Sequence, residues 1–172
     1  MNQKEYVVLV DSSGNKIGRE EKIAAHKKGL LHKAFSVVLY NSDGRILLQQ
    51  RAFHKYHTPG LWSNSCCSHP RVGENLEAAV QRRLKEELGI EKAIVQERFS
   101  FVYKFLDEPT QLWEHEHDTV FTGTYDGPIA FNPEEINAIK WVSKTELEDW
   151  IEKEPAVFTF WFKEFLPKMF RI

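Results

Sequence analysis

Sulfur is scarce in this chain. Its 172 residues include two methionines and two cysteines, and the cysteines are neighbours, Cys66 and Cys67. Adjacent thiols cannot staple distant parts of a fold, so nothing points to an oxidising compartment. Long apolar runs are missing too; none approaches the roughly 18–20 residues that cross a bilayer. The opening MNQKEYVVLV lacks the basic region, apolar stretch and small-residue cleavage site of a secretory signal. Charge of one sign is also lacking. The formal net charge is −2 with His neutral, so no basic field argues for a nucleic-acid partner. No repeat, linker, low-complexity tract or heptad stands out. These absences leave a cytoplasmic protein with neither membrane nor nucleic acid as partner, expected as a monomer.

What is present is ordinary globular material with an aromatic surplus. Apolar residues make up 42% and charged residues 28%, enough for one domain with a sizeable core. The 12 Phe, 5 Tyr and 5 Trp suit a rich core or an aromatic-lined pocket. YVVLVD reads as a strand and SSGNKIG as a turn. AFSVVLYNSDGRILLQQR reads as a hairpin about Asn41-Ser42-Asp43-Gly44. NLEAAVQRRLKEELG is a helix with Gly89 just past its end. AIVQERFSFVYKFL and LWEHEHDTVFTGTY are two long strands. PEEINAIKWVSKTELEDWIEKEP holds a short strand and a helix, and VFTFWFKEFLPKMF suits a closing helix or a strand. The order predicts an α/β chain of the α+β kind. It is a mixed-sheet sandwich flanked by helices, in one domain over residues 1–172.

The central helix breaks its own pattern. At about 100° per residue, Leu76, Ala79, Val80, Leu84 and Leu88 share one arc. Arg83 and Glu87 fall inside that arc, Glu86 at its edge, while Gln81, Arg82 and Lys85 face away. Charges on a core-facing arc must pair or meet ligands. Either Arg83 and Glu87 form a buried pair, or Glu87 holds a cation and Arg83 an anion.

The stretch SNSCCSHP, residues 63–70, puts a thiol two places before His69. In WEHEHD, period 2 places Glu114 and Glu116 on one strand face, with His115 and His117 on the other. Two carboxylates so placed repel unless a cation or a proton lies between them. Either pair suits a metal, and spacing alone does not choose.

Residues 68–90 resemble the Nudix box, G-x5-E-x7-R-E-U-x-E-E-x-G-U with U aliphatic. Glu74, Arg82, Leu84, Glu86, Glu87, Gly89 and Ile90 match, while Ser68 replaces the opening Gly and Arg83 the first Glu of the RE pair. Nudix hydrolases use the glutamate cluster to hold Mg²⁺ against a diphosphate. Losing one Glu to Arg weakens that machinery and adds a phosphate-binding cation. TPGLWSNSCCSHP followed by the altered box resembles the type 1 isopentenyl-diphosphate Δ-isomerases, a Nudix branch, and the likeness runs from about residue 20 to the aromatic tail.

The resemblance implies a Nudix-like fold and a 1,3 proton shift that interconverts isopentenyl and dimethylallyl diphosphate through a tertiary carbocation. It implies Cys67 and Glu116 as the proton-handling groups, Trp161 as the π face for the cation and Tyr103 as a polar companion. Lys22, Arg51, Lys55 and Arg83 would grip the diphosphate, and Glu87 would hold a Mg²⁺ arriving with it. His26, His32, His69, Glu114 and Glu116 would bind a second ion, Mn²⁺ or Mg²⁺, with Zn²⁺ a further candidate. Cys66 is expected to pack. His54, His57, His115 and His117 have no assigned role. The rival expectation is a Nudix hydrolase of nucleoside or prenyl diphosphates, with Cys67 incidental. A silent Nudix-fold binding module is a third.

Overall fold

The computed structural model describes residues 4–171. Nine strands and four helices run in the order β1 (Tyr6–Val10), β2 (Lys16–Glu21), α1 (Lys22–Lys28), β3 (His32–Tyr40), β4 (Ile46–Arg51), β5 (Trp62–Ser63), β6 (Cys66–Ser68), α2 (Leu76–Leu88), β7 (Ile94–Asp107), β8 (Leu112–Thr124), β9 (Ile136–Val142), α3 (Lys144–Lys153) and α4 (Phe160–Met169). A single mixed sheet joins all nine strands. Helices cover both faces, as the sandwich reading expects. No described helix is long and apolar enough to cross a membrane.

β3 is the spine. It runs parallel to β8 over its whole length, with His32 opposite Glu116, and antiparallel to β6 through Phe35–Ser68, Ser36–Cys67 and Val37–Cys66. The predicted hairpin turn is present: Asn41 Oδ1 accepts from the Asp43 and Arg45 amides, and Gly44 takes φ 73°. Its strands part at once, because β4 pairs with β3 only at Ile46–Tyr40 and then turns to β5 and β9. That parting leaves an edge of β3 to the short thiol strand. The β7–β8 hairpin is the longest ladder in the sheet.

Two apolar layers result from strand alternation. On one side Phe35, Val37, Leu39, Cys66 and Phe121 pack under α2 through Ala79, Val80, Leu84 and Leu88. On the other, Val38, Tyr103 and Val120 pack under α4 through Trp161, Phe162 and Phe165. The closing aromatic segment is thus helix. α2 is capped by Asn75, whose side chain accepts from the Ala78 amide, and ends at Gly89 with φ 68°. A Cβ at Gly89 would lie 2.7 Å from the Ala130 carbonyl, so the stop needs glycine both for its left-handed turn and for that close approach.

One short helix, α1, has no counterpart in the sequence reading. Glu21 caps it by accepting from the Ile23 and Ala24 amides, and Gly29 ends it at φ 63°. β2 begins at Lys16, inside the SSGNKIG stretch (12–18) that reads as a turn, so the turn ends sooner than expected and Lys16–Gly18 are already strand. Arg82 also departs from its outward place on the helical wheel. The loop before α2 folds back over it, so its guanidinium holds Glu74 at 2.8 Å and the His69 carbonyl at 3.4 Å.

Candidate active site

The strand β6 separates the two thiols. Successive side chains point to opposite faces. Cys66 is fully buried in the α2-side core. Cys67 is half-buried on the α4 side, where it lines a recess with Glu116, Tyr103 and Trp161.

β8 sends Glu114, Glu116 and Asp118 into the same side, and all three are buried. His115 and His117 take the other face, where His115 Nδ1 bonds the Gly29 carbonyl at 2.8 Å and His117 lies against Gly14. Three imidazoles meet the inward carboxylates: His26 from α1, His32 from the start of β3 and His69 just past β6. The ligand atoms of His26, His32, His69 and Glu116 all lie within 4.8 Å of one another.

Backbone carbonyls set the tautomers. His26 Nδ1 donates to the Lys22 carbonyl at 2.7 Å and His32 Nδ1 to the Leu30 carbonyl at 2.8 Å. Each Nε2 therefore faces inward with a bare lone pair, the orientation of a metal ligand fixed by an outer carbonyl. His32 Nε2 and His69 Nε2 stand 3.2 Å apart. His26 Nε2 and Glu114 Oε1 are buried without a hydrogen-bond partner, 3.6 Å from each other. Buried orphans of this kind are costly unless a cation lies among them. The nitrogen and oxygen donors fit a divalent ion.

Glu114 stands at the edge of this group. Besides His26, its Oε1 lies 3.1 Å from Nε2 of His57. His57 is buried at the recess, yet a lone imidazole in a turn carries no periodic signal, so the sequence left it unassigned. Asp118 was also missed; it takes a 2.8 Å hydrogen bond from Ser36 Oγ, and burial pushes its carboxyl well up.

Glu116 accepts from Tyr103 Oη at 2.7 Å on Oε2 and contacts His69 Nε2 at 2.8 Å on Oε1. Burial alone would raise its pKa, but the His32 and His69 contacts outweigh it and hold the carboxyl well below the usual range. Burial, aided by the Glu116 charge, pushes Glu114 upward instead. Burial drives His69 down to about 3, leaving a neutral imidazole. The Cys67 thiol goes up to about 12, again through burial, with Glu87, Glu116 and Asp118 adding to the rise and Arg51 opposing it. Cys67 thus holds its proton at neutral pH while Glu116 is ionised. Alkylation of Cys67 by iodoacetamide should accordingly be slow at pH 8 and climb about tenfold per pH unit towards pH 12. A rate that levels off below pH 9 would contradict this assignment.

The four predicted phosphate-gripping cations line this recess. Lys22, Lys55 and Arg83 also border a wider cavity of about 560 Å³ outside it. Three are paired: Lys22 with Glu5 at 2.8 Å, Lys55 with Glu135 at 2.5 Å, and Arg83 with Glu87 at 2.5 Å and Glu86 at 2.9 Å. Arg51 has no carboxylate partner among the described residues. Its Nη2 donates to the His57 carbonyl at 3.3 Å, its Nε is buried and unpartnered, and its guanidinium lies 5.6 Å from the Trp161 ring centroid. Arg83 and Glu87 do form a buried pair. The second oxygen of Glu87 takes a 3.0 Å hydrogen bond from Gln49, so this expected Mg²⁺ holder is engaged on both oxygens.

Comparison with known proteins gives the fold and the family. The NUDIX domain model matches residues 30–162. An isopentenyl-diphosphate Delta-isomerase of Serratia proteamaculans is 48% identical over 158 residues, covering 92% of this chain and 87% of the relative. One from Photobacterium profundum is 47% identical, covering 95% and 93%. Among solved structures, DR0079 of Deinococcus radiodurans superposes with a TM-score of 0.69 at 21% identity, covering 87% of this chain and 90% of that one. A MutT protein of Methanosarcina mazei gives 0.67 at 20%, covering 82% and 94%; both likenesses concern the fold. With relatives nearly half identical over nine-tenths of its length, the chain belongs to the isopentenyl-diphosphate Delta-isomerase family of NUDIX-domain proteins.

Proposed function

We propose that this chain interconverts isopentenyl diphosphate and dimethylallyl diphosphate, a step of isoprenoid biosynthesis. One observation carries the reading: Cys67 and Glu116 line a single recess with Trp161, and four cations stand around it. The relatives' shared name supports the same reaction.

An alkene is a poor base, so its terminal carbon needs a positioned acid in a site that excludes water. Protonation there leaves a tertiary cation at C3, and loss of a proton from C2 completes the shift. The reaction is reversible, so each of the two groups is an acid in one direction and a base in the other. One must therefore hold a proton while its counterpart is bare. Two features support this division: burial pushes the Cys67 thiol up to about 12, and the His32 and His69 contacts hold the Glu116 carboxyl low.

Trp161 offers its π face to the cation, worth up to about 2 kcal/mol when desolvated. Its Nε1 donates to Ser63 Oγ at 3.1 Å and Asn64 Oδ1 at 3.3 Å, which fixes the ring. Arg51, lacking a carboxylate of its own, is the first anchor for the diphosphate, joined by Lys22, Lys55 and Arg83. Glu87 would hold the Mg²⁺ that accompanies the substrate once Arg83 turns from it towards the phosphates. His26, His32, His69 and Glu116, with Glu114 at their edge, would hold Mn²⁺ or Mg²⁺, Zn²⁺ being the third candidate. A cation there supplies positive charge that favours the ionised form of Glu116. The hydrolase rival is disfavoured because Arg83 occupies the place of a box glutamate, leaving one metal-holding carboxylate fewer.

The test is incubation with isopentenyl diphosphate and Mg²⁺, following dimethylallyl diphosphate and released phosphate together. Isomer without phosphate is expected. Phosphate without isomer would replace this reading by the hydrolase.

A further inference from the structure

The cradle that should seize a diphosphate is already full of carboxylates. Lys22, Lys55 and Arg83 are held by Glu5, Glu86, Glu87 and Glu135, so the four gripping cations, Arg51 included, face as many acids. Within this cluster the formal charges cancel, while Arg71 and Arg82 border the wider cavity beyond it. Glu5 and Glu135 are the members of this set that lie outside the Nudix box and that the mechanism does not use, and Glu135 is the one that contacts two of the gripping cations, Lys55 and Arg83.

Its placement is rigid. Its carbonyl accepts from the Ala52 amide at 3.0 Å, just past β4, and the Asn132 amide binds the Glu87 carbonyl at 2.8 Å in the last turn of α2. The side chain sits between the strand that carries Arg51 and the helix that carries Arg83. Its Oε2 takes the Lys55 ammonium at 2.5 Å, and its Oε1 lies 3.3 Å from Arg83 Nη2. That same nitrogen is 2.5 Å from Glu87 Oε1. The Glu87 and Glu135 carboxylates therefore lie within about 6 Å of each other with one guanidinium nitrogen between them. If Arg83 and Lys55 turn towards a phosphate, these two anions and the phosphate are left together. Three anionic groups so close require a cation.

We propose that Glu135 is a specificity determinant that makes diphosphate binding conditional on a divalent cation, excluding the free anion and admitting its Mg²⁺ complex. This rests on the diphosphate site proposed above. Glu87 and phosphate oxygens would hold the ion, and Glu135 supplies the charge that makes the ion necessary. It is a positioning residue as well, since it aligns Lys55 and Arg83 before the ligand arrives.

The test is calorimetric titration of the holoprotein, its histidine site loaded with Mn²⁺, with inorganic diphosphate, with and without added Mg²⁺. The wild type should bind at least about tenfold more tightly with Mg²⁺. Glu135→Gln should bind the uncomplexed anion about tenfold more tightly than wild type and lose most of the Mg²⁺ enhancement, and Glu135→Ala should behave alike. Full enhancement retained in Glu135→Gln would overturn the proposal. So would equal loss of affinity with and without Mg²⁺, which would make Glu135 only a brace. A wild type indifferent to Mg²⁺ would sink it without any variant. Because the probe is inorganic diphosphate, isomerisation by the wild type beside an unchanged Mg²⁺ dependence in Glu135→Gln would fail this inference alone.

Discussion

Replacing Cys67 by alanine should abolish isomerisation, by a factor of about 10²–10⁴ or more, while leaving the fold intact. The factor is that of a lost general acid or base. The thiol is half-buried beside the recess rather than sealed in a core, so its removal costs little packing. The same change one residue earlier should do the reverse. Cys66 is fully buried among Val37, Val80 and Leu84, and Cys66→Ala should cost roughly 0.5–3 kcal/mol of stability, the range of ordinary core truncations. Its activity should stay within a few-fold of wild type. Product formation and thermal unfolding, measured on both variants, separate the two roles. An active Cys67→Ala enzyme would remove the thiol from the chemistry.

Glu116→Gln should lose activity on the same scale and lose metal binding with it. The carboxylate holds three positions at once: it contacts His69, accepts from Tyr103 and stands opposite His32 in the β3–β8 register. An amide keeps the shape, but its charge is gone and one terminus becomes a donor. Wild-type protein stripped of metal should gain about 2.7 kcal/mol when Mn²⁺ is supplied at a hundred times its dissociation constant. For a chain of this size that is an increase in Tm of roughly 5–10 °C. Glu116→Gln should show little of that increase. A variant that is inactive yet stabilised by Mn²⁺ as strongly as wild type would leave Glu116 its proton-handling role and remove it from the metal site.

The site was more legible than the frame that carries it. Period-2 alternation puts Glu114 and Glu116 on one strand face, while the choice of that face over His115 and His117 rests on the resemblance. Arg83 and Glu87 were found through their position on the apolar arc of α2. Both signals are local. The two thiols were told apart by resemblance only, because a three-residue strand shows no alternation that a sequence can reveal. α1 escapes for a related reason: seven residues make barely two turns, too few for an apolar period to show. The outward assignment of Arg82 failed because a helical wheel describes one helix and knows nothing of a loop that folds over it. His57 and Asp118 became visible only once β3, β6 and β8 lay side by side. Pairing across the chain, unlike periodicity within it, leaves no trace in a single sequence.

The parallel ladder between β3 and β8 also governs when the site comes into being. It sets His32 beside Glu116, some eighty residues further along the chain. Closing so long a loop is entropically expensive and comes late for parallel strands, whose contacts repay the cost only once the intervening chain is organised. Until then the imidazoles and the carboxylate are separate, and no ion can hold them together. A metal that recognises only the closed ladder is absent from the folding transition state. Mn²⁺ bound there should therefore slow unfolding while leaving the rate of folding almost untouched, a latch set after assembly.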